Sequence, residues 1–243
     1  EVSYDSIDNL KLEKSKEFYN TEAYHKAIPL LEELIPIYKG RKEVEKLYYF
    51  HAYSYYGEGD YLLASYYFKN FIGYYPKSMY TEDAQYMIGY CFYKMSPKAS
   101  LDQTNTEKAI DAFQLFINTY PYSEKVEKCN TLIDDMRRKL ELKYFESAKL
   151  YYNIKRYQAA ATSFKNLLLR FPDTAKKEEI MFLIIKSYYL YAEKSIKTKQ
   201  NERYGSAIEA YLNYIDQFPK GKNGREAERL YGFCVDNVGK LKE

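Results

Sequence analysis

The sequence predicts an all-α protein, a right-handed α-solenoid of five helix pairs closed by a C-terminal capping helix. Three observations predict it. A frame of large residues anchored on an alanine returns five times along the 243 residues. A small residue stands 12 places before three of the anchors and 20 before the other two. Only 10 Gly and 7 Pro serve the whole length, too few for a turn-rich β protein, while strong helix formers are abundant. A hydrophobic share of 46% is ample for a sizeable core.

The frame is plainest in DYLLASYYFKNFIGYYP, residues 60–76, where Ala64 is followed by Phe68, Phe71, Tyr75 and Pro76. It returns as Ala109, Phe113, Phe116, Tyr120 and Pro121. Further copies are Ala160, Phe164, Leu167, Phe171 and Pro172, then Ala207, Tyr211, Tyr214, Phe218 and Pro219. The first copy is Ala27, Leu31, Leu34 and Tyr38, with Lys39 where the others have proline. Steps of four and three places follow one face of an α-helix. The proline then ends that helix and restricts the residue before it. Asp60, Asn105 and Asn201 stand where they could cap these second helices.

Upstream of the anchors stand Ser15, Ala52, Gly89, Ala148 and Ser187, each followed three places on by Phe18, Tyr55, Phe92, Tyr151 or Leu190. The register holds if SPKASLDQ and SIKTKQNE are insertions in the third and fifth copies. A small residue facing a large one lets two antiparallel helices approach closely. This is the tetratricopeptide pattern of helix–turn–helix repeats. From Ser123 to Asn153 there is neither Pro nor Gly, which predicts one long helix joining the third repeat to the fourth. That seam divides the chain into residues 1–122, repeats one to three, and residues 123–243. GREAERLYGFCVDNVGKLKE is expected to form the capping helix, with a polar face for water.

Composition excludes several roles. Net charge is +3 with both signs interspersed, so no nucleic-acid footprint is expected. No apolar run approaches the roughly 20 residues that span a bilayer; IMFLIIKSYYLYA is interrupted by Lys186. The chain opens on Glu1 without an initiator Met or signal peptide, so targeting or anchoring information is expected upstream. Cys91, Cys129 and Cys234 are widely spaced and read as small buried helix residues. His25 and His51 lack ligand-spaced partners, and no phosphate loop or nucleophile elbow occurs. Glu32–Glu33, Asp134–Asp135 and Glu178–Glu179 are sequence neighbours that point apart on a helix. Neither an enzyme nor a cofactor is expected.

The 31 Tyr and absent Trp are the unusual feature. Tyr48, Tyr55 and Tyr75 fall on packing positions. One place beyond each first-helix aromatic, facing the inner channel, come Tyr19, Tyr56, Tyr93, Tyr152 and Tyr191. Three places earlier are Lys16, Tyr53, Tyr90, Lys149 and Tyr188, and four before those Leu12, Tyr49, Tyr86, Phe145 and Ile184. Repeats two and three thus carry a ladder of tyrosines, with Lys16 and Asn20 beside it. Such rings bury much area at low entropy cost and keep a polar tip, which suits an extended peptide whose backbone the hydroxyls would satisfy.

Three segments resemble one family. YYPKSMYTEDA (74–84) resembles a junction of periplasmic tetratricopeptide lipoproteins. LDQTNTEKAIDAF (101–113) is similar to their third-repeat insertion. RRKLELKYFESAKLYYNIKRYQAAATSFKNLLLRFPDT (137–174) resembles the linking helix and fourth repeat of BamD-like proteins, lipoprotein subunits of the outer-membrane β-barrel assembly machinery. The resemblance implies a non-enzymatic scaffold held by an N-terminal lipid at the periplasmic face of the outer membrane. Its C-terminal repeats would dock the barrel insertase among other subunits, and its N-terminal repeats would meet the aromatic-ended signal of unfolded barrels. A glycan-capturing surface lipoprotein and a generic periplasmic adaptor are the alternatives.

Overall fold

The computed structural model describes residues 4–240. Among them are eleven α-helices and no strand. They run as α1 (Tyr4–Asn20), α2 (Tyr24–Ile37), α3 (Glu43–Gly57), α4 (Tyr61–Tyr74), α5 (Thr81–Met95), α6 (Thr104–Thr119), α7 (Val126–Asn153), α8 (Tyr157–Arg170), α9 (Lys177–Glu193), α10 (Lys197–Gln217) and α11 (Gly224–Lys240). Five pairs and a final cap make an all-α helix-pair solenoid. Two compact units divide inside α7, between Arg138 and Lys139. In the first unit each helix from α1 to α6 packs on the next; in the second the same holds from α8 to α11.

The anchors account for this stacking. Ala27, Ala64, Ala109 and Ala160 are fully buried, and Ala207 nearly so. Phe68, Phe71, Phe113, Phe116, Phe164, Leu167 and Tyr214 are sealed with them. Ser15, Ala52, Ala148 and Ser187 are equally buried on the facing helices. At Gly89 the approach is closest: an added Cβ would lie 2.8 Å from the Phe113 ring.

Each second helix stops in the same way. Tyr75, Tyr120, Phe171 and Phe218, all preceding proline, have φ between −126° and −130° and ψ between 62° and 71°. The following proline keeps each of them out of the helical region, although ψ stays short of the fully extended range. In each, the backbone N–H still closes a bond to the carbonyl four residues earlier. α2 lacks the proline and ends through Tyr38 and a left-handed Gly40 (φ 88°). Beyond three of the prolines a hydroxyl latches the turn. Ser78, Ser123 and Thr174 accept from the N–H two residues on and donate to Glu45, Glu82 and Glu141 of the preceding first helix.

Four details differ from the sequence expectation. Asp60 caps α4, accepting from the Leu63 N–H at 3.0 Å, but Asn105 and Asn201 lie inside α6 and α10. Ahead of α6 it is Asp102 that accepts from the Thr104 N–H. SPKASLDQ is a loop, whereas most of SIKTKQNE is helical and lengthens α10 to 21 residues. Tyr151, expected in the core, is 42% exposed. Its counterpart Tyr55 stacks on Tyr67 at 5.0 Å. The residue at that place in α8 is Ser163, which offers no ring.

α7 and α11 follow expectation. α7 is continuous for 28 residues. α11 buries Ala227, Leu230 and Cys234 and turns Glu228, Arg229 and Asp236 outward, its last three expected residues lying outside the described ones. All three cysteines are free and buried, and burial pushes the Cys91 and Cys234 thiols up to about 12. Among the described residues no helix is long and apolar enough to cross a membrane.

The contact between Gly89 and Phe113 is testable against Gly73, whose added Cβ would meet nothing within 4 Å. Helix propensity alone favours Gly→Ala by ~1 kcal/mol at either site. At Gly89 overpacking costs about 1–3 kcal/mol, which outweighs the gain. Thermal unfolding should therefore show Gly73→Ala raising Tm by about 2–4 °C and Gly89→Ala lowering it.

Candidate functional site: a tyrosine face on α3 and α5

In the first unit α3 and α5 bring six of the expected tyrosines into one run of rings. Along α3, Tyr49 and Tyr53 lie 4.9 Å apart by centroid, and Tyr53 and Tyr56 6.2 Å. Tyr56 meets Tyr90 of α5 at 6.1 Å, and Tyr90 stacks on Tyr86 at 5.7 Å and on Tyr93 at 5.8 Å. Helical spacing explains the run: residues three and four apart share a face. Tyr49 also stacks on Tyr80, 4.4 Å away, which pins the far end.

One carboxylate organises that end. Asp83, in the first turn of α5, accepts from the Tyr49 hydroxyl at 2.7 Å and from the Tyr53 hydroxyl. Its other oxygen pairs with Lys125. Burial works to raise its pKa, but the Lys125 ammonium and the Tyr53 and Tyr49 hydroxyls together outweigh burial and hold it below the ordinary value. Burial, and then Asp83 itself, push the Tyr49 and Tyr53 phenols far up, so both remain donors.

This corrects part of the sequence expectation. The Tyr49 and Tyr53 hydroxyls give their protons to Asp83 and have none left to donate to a guest's backbone carbonyl. Tyr86 is buried as well, and its hydroxyl has no hydrogen-bond partner. The hydroxyls of Tyr56, Tyr90 and Tyr93 have no protein partner among the described residues, and these three rings are half-buried. Burial, with the neighbouring Tyr90 second, raises the Tyr56 phenol to about 12. Lysines rim the face: Lys128 Nζ lies 5.5 Å from the Tyr86 ring and 5.4 Å from Tyr90, and Lys94 lies 5.5 Å from Tyr90. Lys128 is exposed and has no ion-pair partner among the described residues.

The remaining expected residues stand apart from this run. Tyr19 of α1 stacks on Phe50 at 4.0 Å, nearly parallel, and burial lifts its phenol to about 12. Lys16 pairs with Glu13, and Asn20 is exposed. In the second unit Tyr152 meets Tyr157 edge-on, Tyr188 lies under Lys165 at 4.9 Å, and Tyr191 lies under Arg203 at 4.0 Å. Lys149 is exposed. Each of those rings has taken a partner of its own, and no ladder forms there. Sequence reasoning missed Asp83, Lys125 and Lys128. The signal for Asp83 was its place one turn before Tyr86 on the same helix.

Among the described residues no group of three or more His, Cys, Asp or Glu could hold a metal. His51 is buried beside Glu32, its Nε2 3.4 Å from Oε1, and burial lowers its pKa. His25 is exposed.

Comparison with known proteins gives the family. The YfiO family of outer membrane lipoproteins matches residues 8–203. The chain belongs to this family. Among curated relatives, an outer membrane protein assembly factor BamD of Aquifex aeolicus is 26% identical over 223 residues, covering 90% of this chain and 71% of that protein. BamD of Caulobacter vibrioides is 25% identical over 118 residues, 49% of this chain and 39% of its own length. Solved structures with loose likeness include the TPR2AB domain of yeast Sti1 in complex with pHSP90 and the TPR domain of P58(IPK). The first has TM-score 0.46 and 15% identity, covering 95% of this chain and 99% of that one. The second has TM-score 0.45 and 13% identity, with 97% and 67% covered. Membership places the chain at the outer membrane, in a family of non-catalytic scaffolds.

Asp83 yields a pH-dependent test. Its folded pKa lies below the unfolded value, so its contribution is fully present above about pH 3.8 and is lost as pH falls through the folded pKa. Asp83→Asn is expected to cost about 1–3 kcal/mol in urea unfolding at pH 7. The gap from the parent protein should close below pH 3.8.

Proposed function

We propose that this protein is a scaffold of outer-membrane β-barrel assembly, and that its α3–α5 tyrosine face receives the aromatic-ended signal of an unfolded barrel chain. The observation that carries this is the run Tyr56–Tyr90–Tyr93, tilted at its first contact and stacked at its second, half-exposed, with hydroxyls and the Lys128 ammonium that have no partner among the described residues. An aromatic side chain would extend the stack while the three hydroxyls meet backbone groups. The Aquifex relative supports the assembly role, since it matches along 90% of the chain. In this reading residues 1–122, with Lys128 at the margin of their face, meet the client, the rest of residues 123–243 dock the insertase and its companion subunits, and a lipid upstream of Glu1 ties the scaffold to the membrane.

The energetics suit a transient receptor. Three rings each giving up about half of a 150–250 Å² side-chain surface bury ~300 Å², or ~7 kcal/mol at 25 cal/mol per Å². Association costs of ~4 kcal/mol or more leave weak, reversible binding, in the micromolar range once backbone hydrogen bonds add. The family match and the Aquifex relative favour barrel assembly over glycan capture.

The test is a fluorescence-anisotropy titration with a dye-labelled peptide of about a dozen residues from the aromatic C-terminus of an outer-membrane barrel. Saturable micromolar binding is expected, weakened about tenfold or more by Tyr56→Ala with Tyr90→Ala and unchanged by Tyr188→Ala. Unaltered binding by the double variant, or capture of saccharides without peptide on a glycan array, would overturn the proposal.

A further inference from the structure

We propose a second docking site, distinct from the tyrosine face: a groove lined by α4, α5 and α6 that takes an amphipathic helix of a partner protein with carboxylates along its edge. The groove encloses about 770 Å³. Leu62, Leu63 and Tyr66 of α4, Ile88 and Phe92 of α5, and Leu115 of α6 supply most of its surface. Leu62 is 64% exposed, and Tyr66 and Leu115 are each 56% exposed. A contiguous apolar surface of this kind marks an interaction site more often than a bare outer wall.

The repeat fold does not itself require apolar residues there. The equivalent groove of the second unit, lined by α8, α9 and α10, has only about 210 Å³ and includes Lys165, Glu209, Asn213 and Gln217. Measured from the anchor alanines, Leu62, Tyr66 and Leu115 correspond to Gln158, Thr162 and Asn213. Asn213 lines the narrow groove where Leu115 lines the wide one, and Gln158 and Thr162, which lie outside the narrow groove, are polar as well.

Gly73 points the same way. It lines the groove within α4, where glycine is a poor helix former, and an added Cβ would meet nothing within 4 Å. The corresponding residue of α8 is Leu169. Internal packing leaves Gly73 unexplained, whereas close approach of another chain explains it.

Two features select the occupant. Lys69 is the charged residue of the lining, and Lys108 Nζ lies 5.7 Å from the lining ring of Phe92. Neither has an ion-pair partner among the described residues, and no carboxylate lines the groove, so the complementary edge is acidic. The walls are helices whose backbone groups are already bonded within themselves, and the side chains between them are nearly all apolar. An extended peptide would find few partners for its own N–H and C=O groups, whereas a helix satisfies them internally.

The sequence has no Trp, so Tyr66→Trp places a single reporter in the groove. Into this variant is titrated a designed helical peptide of about 18 residues, five turns, with a Leu stripe flanked by Glu. The control has the same stripe flanked by Lys. Saturable blue-shifted emission with the Glu peptide is expected, with Kd about tenfold or more below that of the Lys peptide. Lys69→Glu should reverse the preference. Gly73→Leu and, separately, Leu115→Asn should abolish the shift without lowering Tm, while the barrel-terminus peptide still binds the tyrosine face. Equal binding of both peptides, or binding that survives Gly73→Leu and Leu115→Asn, would overturn the proposal. So would a groove-dependent dimer in sedimentation, which assigns the surface to a second copy, or an emission shift with phosphatidylglycerol vesicles alone, which assigns it to lipid.

Discussion

Gly89 and Phe113 face each other across α5 and α6 with no room for one more carbon. That contact is the tightest instance of the constraint on which the rest of the structure depends. In every pair the small residue of the first helix and the large residues of the second are buried, and in four of the five a proline then ends the second helix in one backbone conformation. Once these positions are fixed, helical geometry decides which neighbours can be buried and which must face outward. The residues just beyond the packing position have nowhere to go but the next face. In all five repeats that residue is a tyrosine, and in repeats two and three further tyrosines of α3 and α5 join it in one run of rings.

Most of the fold was legible because it rests on this small-against-large register, which a single sequence displays directly. The anchors, the long α7 and the cap needed no tertiary information. What could not be read depended on contacts between repeats. Asp83 looked like one surface carboxylate among many until α3 and α5 were adjacent, when it joined Tyr49, Tyr53 and Lys125. Tyr151 fitted the frame, but its burial needed a ring that α8 lacks. SIKTKQNE carried loop-like polarity and still became helix, since α10 could extend N-terminally with its polar residues in water. The tyrosine positions were legible as a pattern; which hydroxyls stay unspent was not.

The first unit therefore presents two surfaces of different chemistry. On the α3–α5 face, aromatic rings with phenol tips are stiffened at one end by a half-buried carboxylate and left open at the other. Along the α4–α6 groove, aliphatic side chains and a glycine leave space with lysines at its margin. A scaffold has use for both, since polar-tipped rings can hold a chain that has not yet folded, whereas an apolar groove suits a helix already formed. The second unit's aromatic residues are paired off individually, by Lys165 over Tyr188 and Arg203 over Tyr191, so it offers no comparable ladder.

The most direct measurement is NMR of the protein with carbon-13-labelled tyrosine rings, with and without the aromatic-ended barrel peptide. The account requires ring shifts at Tyr56, Tyr90 and Tyr93, little change at Tyr49 and Tyr53 beside Asp83, and none at Tyr188. Shifts absent from the first three, or centred on the second unit, would contradict it.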